Sequence, residues 1–308
     1  MRRAVIFPGG LLAVAAAALA ACGAAAVPLA TQPVSVPPGT VRYLAGGDSR
    51  DDSSHVIPWA FAEAKARGAS AFLFLGDMEL TPALDAAFTE KLKRLEPVLF
   101  LPALGNHEVK VLGFAPIGRR AAERDFKKRF LGTAQTPVQS SLGDRVVYSI
   151  DLPGGVHFIA LDNVSQNGFG ADQLAWLEAD LAHARSTTST RHIIVGMHKP
   201  LAGNGVTRHS MDSDGDHAVK DSNAALALFT RYEVSLLLES HVHEYASFEQ
   251  GGIASYISGG LGAPLSPGGP DHAFHHFLQL DVTEQGIHVD VVRFDGKPTV
   301  GAELDDGD

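Results

Sequence analysis

Short apolar runs recur along the chain, and each ends in glycine or in a polar cluster. The runs are rich in β-branched and large apolar residues, which is typical of strands buried in a sheet. The runs that end in side chains of chemical interest cover residues 41–48, 72–77, 99–108, 192–200 and 234–243. This pattern predicts an α/β fold whose polar side chains collect at strand ends.

The first three runs are separated by segments with helical character. Strands are expected at 41–47, 71–75 and 97–101, with helices between them near 54–67 and 82–95. Asp48, Asp77 and Asn106 follow these strands at equal intervals of 29 residues, about one βα unit. Three parallel strands would present the three side chains together at their carboxyl ends, where open α/β sheets bind ligands.

The second half of the chain is richer in strand patterns. Further helices are expected at 119–131 and 171–184, and further strands at 146–151, 156–162, 253–258, 274–282 and 286–294. Pro153-Gly154-Gly155 predicts a hairpin. Parallel βα units followed by β-rich segments predict two sheets packed face to face with helices outside.

Composition narrows the classes of partner. The chain has 308 residues, is 45% hydrophobic and 19% charged, and carries a net charge of −10 at pH 7. It is therefore long enough to bury a full core. No stripe of Lys and Arg interleaved with aromatic residues is present, so a nucleic-acid-binding surface is not expected. An acidic chain that handles phosphate needs metal ions to reverse the local field.

The N-terminus reads as a processing segment. Arg2 and Arg3 precede an alanine-rich apolar stretch at 4–18, and Leu19-Ala20-Ala21-Cys22 follows. These last residues look like the lipobox of bacterial lipoproteins, which would account for Cys22, the single cysteine of the chain. The expectation is an exported protein, anchored through a lipid at the periplasmic face of the outer membrane or at the cell surface. A plain secretory signal or an uncleaved anchor is the alternative.

Domain boundaries follow from composition. Residues 1–22 form the expected lipoprotein signal peptide, and residues 23–40 form a Pro- and Ala-rich tether. A single domain is expected over 41–296, followed by an acidic C-terminal tail at 297–308. The membrane would be contacted through the N-terminal lipid alone, and the sequence does not define an oligomeric state.

Five short motifs in order resemble a known family. They are Gly47-Asp48, Gly76-Asp77, Gly105-Asn106-His107-Glu108, Gly196-Met197-His198 and His241-Val242-His243. Together they look like the motifs of the calcineurin-like metallophosphoesterases, and residues 256–264 resemble bacterial members related to purple acid phosphatases. The resemblance implies a four-layer α/β/β/α sandwich with a two-metal site.

The resemblance also implies roles for individual residues. Asp77 would bridge two divalent metal ions, of Mn, Fe or Zn, and the remaining ligands would be Asp48 and His243 for the first ion and Asn106, His198 and His241 for the second. His107 would act on the phosphate as a catalytic residue, and Glu108 would orient His107.

Three positions depart from the family pattern. Arg50 stands where the first motif usually has a histidine. Arg50 could contact the substrate phosphate or form a salt bridge with Asp51 or Asp52. Alternatively, Asp52 or His55 could reach the metal in place of the missing histidine. Leu80 replaces the metal-binding tyrosine of purple acid phosphatases, so their iron charge-transfer site is not expected. Ser240 replaces a glycine, which reads as a minor change.

The expected function is metal-dependent hydrolysis of a phosphorylated small molecule, either a monoester or a diester. The polar stretch 201–222, between two ligand motifs, is a candidate for shaping the substrate site. The alternative is a catalytically degenerate protein of the same fold that binds a phosphorylated ligand or a partner, which Arg50 would favour. Retention of His107 favours the enzyme.

Overall fold

The computed structural model describes residues 34–52, 54–78, 82–109, 119–267 and 271–295. The expected signal peptide with Cys22, the tether up to residue 33, Leu80 and the acidic tail at 297–308 lie outside the described residues. The hypotheses on those segments therefore remain predictions.

The first sheet has five strands. They are β1 (Val41–Gly46), β2 (Ala71–Phe74), β3 (Leu99–Pro102), β11 (His276–Val282) and β12 (Ile287–Arg293). Their order is β12-β11-β1-β2-β3. Strands β1, β2 and β3 are parallel neighbours, whereas β11 and β12 run antiparallel at one side. The expected side-by-side placement of the first three strands is therefore confirmed.

The second sheet has seven strands. They are β4 (Ser140–Ser141), β5 (Tyr148–Leu152), β6 (Val156–Ala160), β7 (His192–Gly196), β8 (Leu236–Glu239), β9 (Tyr245–Gln250) and β10 (Ile253–Ser258). Their order is β4-β5-β6-β7-β8-β10-β9, and the central strands β6, β7, β8 and β10 are parallel. Pro153–Gly155 forms a 3-10 turn that joins β5 to β6 as an antiparallel hairpin, as expected.

Helices flank the sheets. They are α1 (Val56–Ala66), α2 (Pro82–Leu95), α3 (Asn106–Val109), α4 (Arg119–Phe130), α5 (Ala171–Ser186) and α6 (Asp216–Arg231). Helix α6 corrects the sequence analysis, because its first residues fall in the stretch 201–222 that reads as a loop. The stripe that α6 buries has helical spacing but consists mostly of the small residues Ala218, Ser222 and Ala225, so few large apolar side chains mark the helix in the sequence.

Three apolar clusters define the layers. Trp59 and Phe61 of α1 pack with Phe72 and Phe100 on the outer face of the first sheet. The faces between the two sheets bury Tyr43, Tyr148 and Phe158 among others, with full exclusion of solvent. A third cluster joins α5 and α6 to the second sheet through Leu177, Leu181 and Phe229. Each fully buried side chain of this size contributes roughly 1.5–3 kcal/mol, and the helix–sheet–sheet–helix order confirms the four-layer sandwich.

Candidate metal centre

The carboxyl ends of parallel strands from both sheets bring the sequence-predicted ligands together. In the first sheet, Asp48 follows β1, Asp77 follows β2 and Asn106 begins α3 after β3. In the second sheet, His198 follows β7, whereas His241 and His243 follow β8. Asp48, Asp77, Asn106 and His198 are buried, and the other two are partly buried. Side chains that lie far apart in sequence therefore share one site.

One group of side chains surrounds the ring of His198. Its Nε2 lies 3.0 Å from Asn106 Oδ1, 3.3 Å from Asp77 Oδ1 and 3.0 Å from His241 Nδ1. The other ring nitrogen, Nδ1, lies 2.9 Å from the backbone oxygen of Leu75. When that nitrogen donates to the carbonyl, the lone pair of Nε2 faces the cluster, which is the usual second contact of a metal-binding histidine.

A second group shares Asp77 with the first. Asp48, Asp77 and His243 each offer a ligand atom, and these atoms lie within 4.8 Å of one another, as do those of Asp77, His198 and His241. His243 Nε2 lies 3.4 Å from Asp48 Oδ1. Asp77 is therefore the side chain common to two potential metal subsites, in the position that the sequence assigns to a bridging carboxylate.

The carboxylate of Asp48 is held by one oxygen only. Its Oδ2 accepts hydrogen bonds from the Ser240 hydroxyl and, at 2.7 Å, from the backbone N–H of His241. Its Oδ1 is buried and has no hydrogen-bond partner. A buried carboxylate oxygen without a donor is costly unless a cation compensates it, so Asp48 fits a metal ligand. Ser240, which reads as a minor change, fixes this orientation.

Backbone conformation at the site is unusual. Asp48, Asp77 and His241 have φ values of 62°, 61° and 69°, in the left-handed region that non-glycine residues rarely adopt. Each such residue costs about 1–2 kcal/mol. Backbone hydrogen bonds from Asp48 N to Gly76 O at 2.9 Å and from Arg50 N to Asp77 O at 2.8 Å hold the two loops together. Strain of this kind clusters at functional sites.

The charges of the ligand side chains are strongly coupled. Burial alone would raise the pKa of Asp77, but His198 and His107 lower it below its usual value. Burial acts to lower the pKa of His198, yet the charge and hydrogen bond of Asp77 raise it to about 9. Burial and the neighbouring His198 lower the pKa of His241 to about 2. The pKa values of these three side chains therefore depend on one another, as expected of titratable groups that share one site.

His107 and Glu108 lie beside this cluster. The backbone N–H of His107 donates to Asp77 Oδ1 at 2.8 Å, and its side-chain Nε2 lies 3.8 Å from Asp77 Oδ2. The carboxylate of Glu108 accepts backbone hydrogen bonds from Asp77, Met78 and Gly105 at 2.6–3.0 Å. Glu108 thus ties the loop after β2 to the loop after β3. Burial and the nearby Asp77 charge raise its pKa to about 7.

The surroundings of Arg50 remove some of the alternatives drawn from the sequence. Asp52 Oδ1 accepts hydrogen bonds from Val56 N at 2.7 Å and Ile57 N at 3.1 Å, and Oδ2 pairs with Lys91 at 2.8 Å. Asp52 therefore caps α1 and pairs with Lys91, and neither candidate ligand group among the described residues includes it. Arg50 is partly buried. Burial acts to lower the pKa of His243, but Asp48 raises it above its usual value. The charge of Arg50 acts to lower the same pKa, which places the guanidinium near Asp48 and His243.

Comparison with known proteins assigns the family. The family model of calcineurin-like phosphoesterases matches residues 46–245, which include all six candidate metal ligands. The chain belongs to this family, and the expectation drawn from the five motifs is confirmed.

Individual relatives are more distant. Purple acid phosphatase 22 of Arabidopsis thaliana is 25% identical over 183 residues, which cover 58% of this chain and 39% of the plant protein. An uncharacterized protein of Mycobacterium tuberculosis is 29% identical over 157 residues, covering 47% of this chain and 27% of its own length. The chain thus spans well under half the length of these curated relatives.

Solved structures show the same fold. A purple acid phosphatase from yellow lupin seeds aligns with a TM-score of 0.61 at 17% identity, covering 86% of this chain and 53% of its own. A dimetal phosphatase from Danio rerio aligns with a TM-score of 0.57 at 13% identity, covering 83% and 99%. GAP50, described as the anchor in the inner membrane complex of Plasmodium, aligns with a TM-score of 0.56 at 15% identity, covering 84% and 86%.

Among the described residues, no helix is both long enough and apolar enough to cross a membrane.

Proposed function

We propose that the protein hydrolyses a phosphate ester with two divalent metal ions held at this site. The observation that carries the proposal is the sharing of Asp77 between two ligand groups that are each complete enough to hold an ion. Carboxylate, amide and imidazole donors suit Mn, Fe or Zn, and the donor set does not choose among them. Membership of the phosphoesterase family supports the type of reaction.

The ligands divide between two subsites. Asp48 and His243 with Asp77 would form the first subsite, whereas Asn106, His198 and His241 with Asp77 would form the second. When bound, a metal pair of this kind supplies an activated water and a clamp for the phosphate oxygens. The protein contributes fixed orientation: Leu75 O holds His198, Pro264 O holds His243 and Ser240 holds Asp48.

Two further side chains would act on the phosphate. His107 lies in the first turn of α3 beside Asp77 and is only partly buried, so its ring would reach a bound ester and supply a proton to the departing oxygen. Glu108 would keep His107 in place by fixing the backbone of the loops around it. Arg50 would bind a phosphate oxygen, because a permanently protonated guanidinium beside the first subsite can neutralise an anion but cannot ligate a metal.

The polar segment after His198 is the candidate contact for the organic part of the substrate. The segment after His198 forms an open surface hollow of about 650 Å³, lined by Gly205–Arg208 with Asp212 and Ser213. Lys199 joins this segment to the ligand cluster, because its ammonium group bonds both oxygens of Asp214 at 2.7 and 2.6 Å. The segment would contact the alcohol portion of a small phosphorylated molecule.

A binding function is the second candidate. Arg50 replaces the usual histidine ligand, which removes one donor from the first subsite, and a protein of the same fold is described as an anchor. Such a protein would hold a phosphorylated ligand or a partner and would keep one metal ion or none. The proximity of His107 to the shared carboxylate favours the enzyme, since binding alone does not need a proton donor.

We also propose that the protein is exported and that a lipid on Cys22 anchors it at the periplasmic face of the outer membrane or at the cell surface. Replacing the cysteine in Cys22→Ser would then move the protein from the membrane fraction to the soluble fraction. Unchanged fractionation would contradict lipid anchoring.

Metal removal and replacement test the proposed reaction. Dialysis of the full-length chain against a chelator is expected to abolish hydrolysis of a chromogenic phosphate ester, and added Mn²⁺ is expected to restore it with two ions bound per chain. Restoration at one ion or none, or hydrolysis that survives chelation, would contradict a dinuclear site.

A further inference from the structure

A glycine-rich segment, residues 259–264, lies against the first metal subsite. It follows β10, and its backbone bonds the loop that carries Asp48: Leu261 N donates to Gly47 O at 3.1 Å, and Ala263 N donates to Asp48 O at 2.9 Å. At its end, the ring of His243 donates from Nδ1 to Pro264 O at 2.7 Å. Two ligands of the first subsite are therefore fixed by one segment.

The segment packs closely against Asp48 and against Asp52 of the same loop. A Cβ atom added at Gly259 would lie 2.8 Å from Asp48 Oδ2. A Cβ atom added at Gly262, where φ is +131°, would lie 2.4 Å from Asp52 Oδ1. Both distances are shorter than van der Waals contact, so glycine is required for the close approach. A displacement of the segment would displace Asp48 as well.

Ser258 and His276 form a buried pair that holds the start of the segment. Both are fully buried, and Ser258 Oγ lies 3.1 Å from His276 Nε2. His276 Nδ1 lies 2.8 Å from Phe274 O, a carbonyl that can only accept, so Nδ1 carries the proton and Nε2 accepts from the serine hydroxyl. Burial lowers the pKa of His276 to about 4, which keeps the ring neutral and this tautomer in place.

His276 and the neighbouring His275 also hold Gly260 of the segment. Gly260 O accepts the backbone N–H of His276 at 3.1 Å and lies 3.1 Å from Nδ1 of His275. Ser258 contributes its own backbone as well, because Gly47 N donates to Ser258 O at 2.9 Å. Side-chain and backbone bonds therefore connect β11, through Ser258 and Gly260, to the loop of Asp48.

We infer that Ser258 and His276 are positioning residues for the first metal subsite, acting through the segment 259–264. The inference deepens the proposed function and rests on its dinuclear site. Besides its bonds to Glu244 and to the region of β11, the segment bonds Gly47, Asp48 and His243 at the first subsite. His198 of the second subsite is instead fixed by Leu75 O, which follows β2. Loss of the Ser258–His276 bond would thus weaken the first subsite more than the second. The support given by Ser258 and His276 would also explain how a subsite with Arg50 in place of a histidine stays ordered.

Metal titration of the full-length chain separates the two subsites. Isothermal calorimetry with Mn²⁺ on the metal-stripped protein gives one affinity per subsite, and electron paramagnetic resonance distinguishes a coupled Mn²⁺ pair from a single ion. The test variants are Ser258→Ala and His276→Phe, the second of which keeps a ring against Tyr245 and Phe274. Ser255→Ala is the matched control, because Ser255 is a buried serine on the same strand whose hydroxyl bonds Ile253 O.

The expected result is selective. Ser258→Ala and His276→Phe weaken one subsite about 10–100-fold, as loss of partners that orient ligands usually does, and the coupled signal gives way to that of a single ion. The second affinity and the control variant stay as in the unsubstituted chain. Thermal unfolding confirms that each variant is folded.

Two results in the variants would overturn the inference alone. One is retention of both affinities in folded Ser258→Ala and His276→Phe, and the other is an equal loss at both subsites. Fewer than two ions in the unsubstituted chain would overturn the inference together with the proposed dinuclear site, and that failure is recognised before any variant is measured.

Discussion

Asp52 lies beside the candidate metal centre, but its contacts indicate a role in stability rather than in metal binding. Its carboxylate accepts two backbone N–H groups at the start of α1 and pairs with Lys91, and Asp52 is 5% exposed against 28% for Lys91. The residue lies four positions from Asp48, yet both of its oxygens are engaged away from the ligands. We therefore expect Asp52→Ala to reduce stability without changing metal content.

The magnitude follows from the two interactions that are lost. Removing an N-cap carboxylate costs about 0.5–2 kcal/mol. The ion pair adds about 1 kcal/mol, rather than the larger cost of breaking a fully buried pair, because the Lys91 ammonium can still reach water. The expected loss is about 1.5–3 kcal/mol for Asp52→Ala. Asp52→Asn keeps an oxygen for the cap and should lose only about 1 kcal/mol.

Urea unfolding of the full-length chain, followed by circular dichroism, measures the loss, and elemental analysis measures bound metal. Lower midpoints in the order unsubstituted chain, Asp52→Asn, Asp52→Ala, with two ions retained in each, would agree with the reasoning. Loss of an ion in Asp52→Asn would refute it. The amide preserves the helix cap and removes only the negative charge, so an ion would be lost only if the carboxylate of Asp52 helped to bind it.

The other predictions concern catalysis and pH. His107→Asn should lower turnover about 10²–10⁴-fold with both ions retained, and unchanged turnover measured with a chromogenic ester would show that His107 is not the proton donor. Burial acts to lower the pKa of His157, but bonds to Asp180 at 2.9 Å and Asp151 at 2.7 Å raise it above its usual 6.5. Its stabilisation is then complete below pH 6.5 and is lost as pH rises through the higher folded-state pKa. The free energy of unfolding lost in His157→Gln should therefore be smaller at pH 9 than at pH 6. The exposed control His288→Gln should show little effect at either pH. A loss in His157→Gln that is equal at both pH values would contradict the raised pKa of His157.

The sequence predicts the strands and helices best where their side chains are buried in a regular pattern. Helix α2 matches its predicted bounds, and the three parallel strands of the first sheet lie within two residues of theirs. The order of the strands is not predictable in the same way, because β11 pairs with β1 through contacts between residues that lie far apart in the sequence. Strand β9 is also missing from the sequence analysis, since it lies at a sheet edge with exposed polar positions.

The candidate ligands are predictable from sequence because each follows a recognisable apolar run. The residues that orient them are not, since their function depends on partners far along the chain. Ser240 contacts Asp48 across 192 residues, and His276, which falls in a predicted strand, contacts Ser258 on a strand of the other sheet. A serine in place of a glycine after a strand is the one local sign that Ser240 has a role. For His276 no such sign exists in the sequence.

Asp77 tests the central claim most directly, because both ligand groups contain it. The full-length chain, Asp77→Asn and the exposed control Asp290→Asn would be loaded with Mn²⁺ and assayed with a chromogenic phosphomonoester and phosphodiester. Two bound ions and turnover are expected in the unsubstituted chain and in the control, and both are expected to be lost in Asp77→Asn. Turnover that survives in Asp77→Asn, or its absence from a chain that holds two ions, would contradict a dinuclear phosphoesterase.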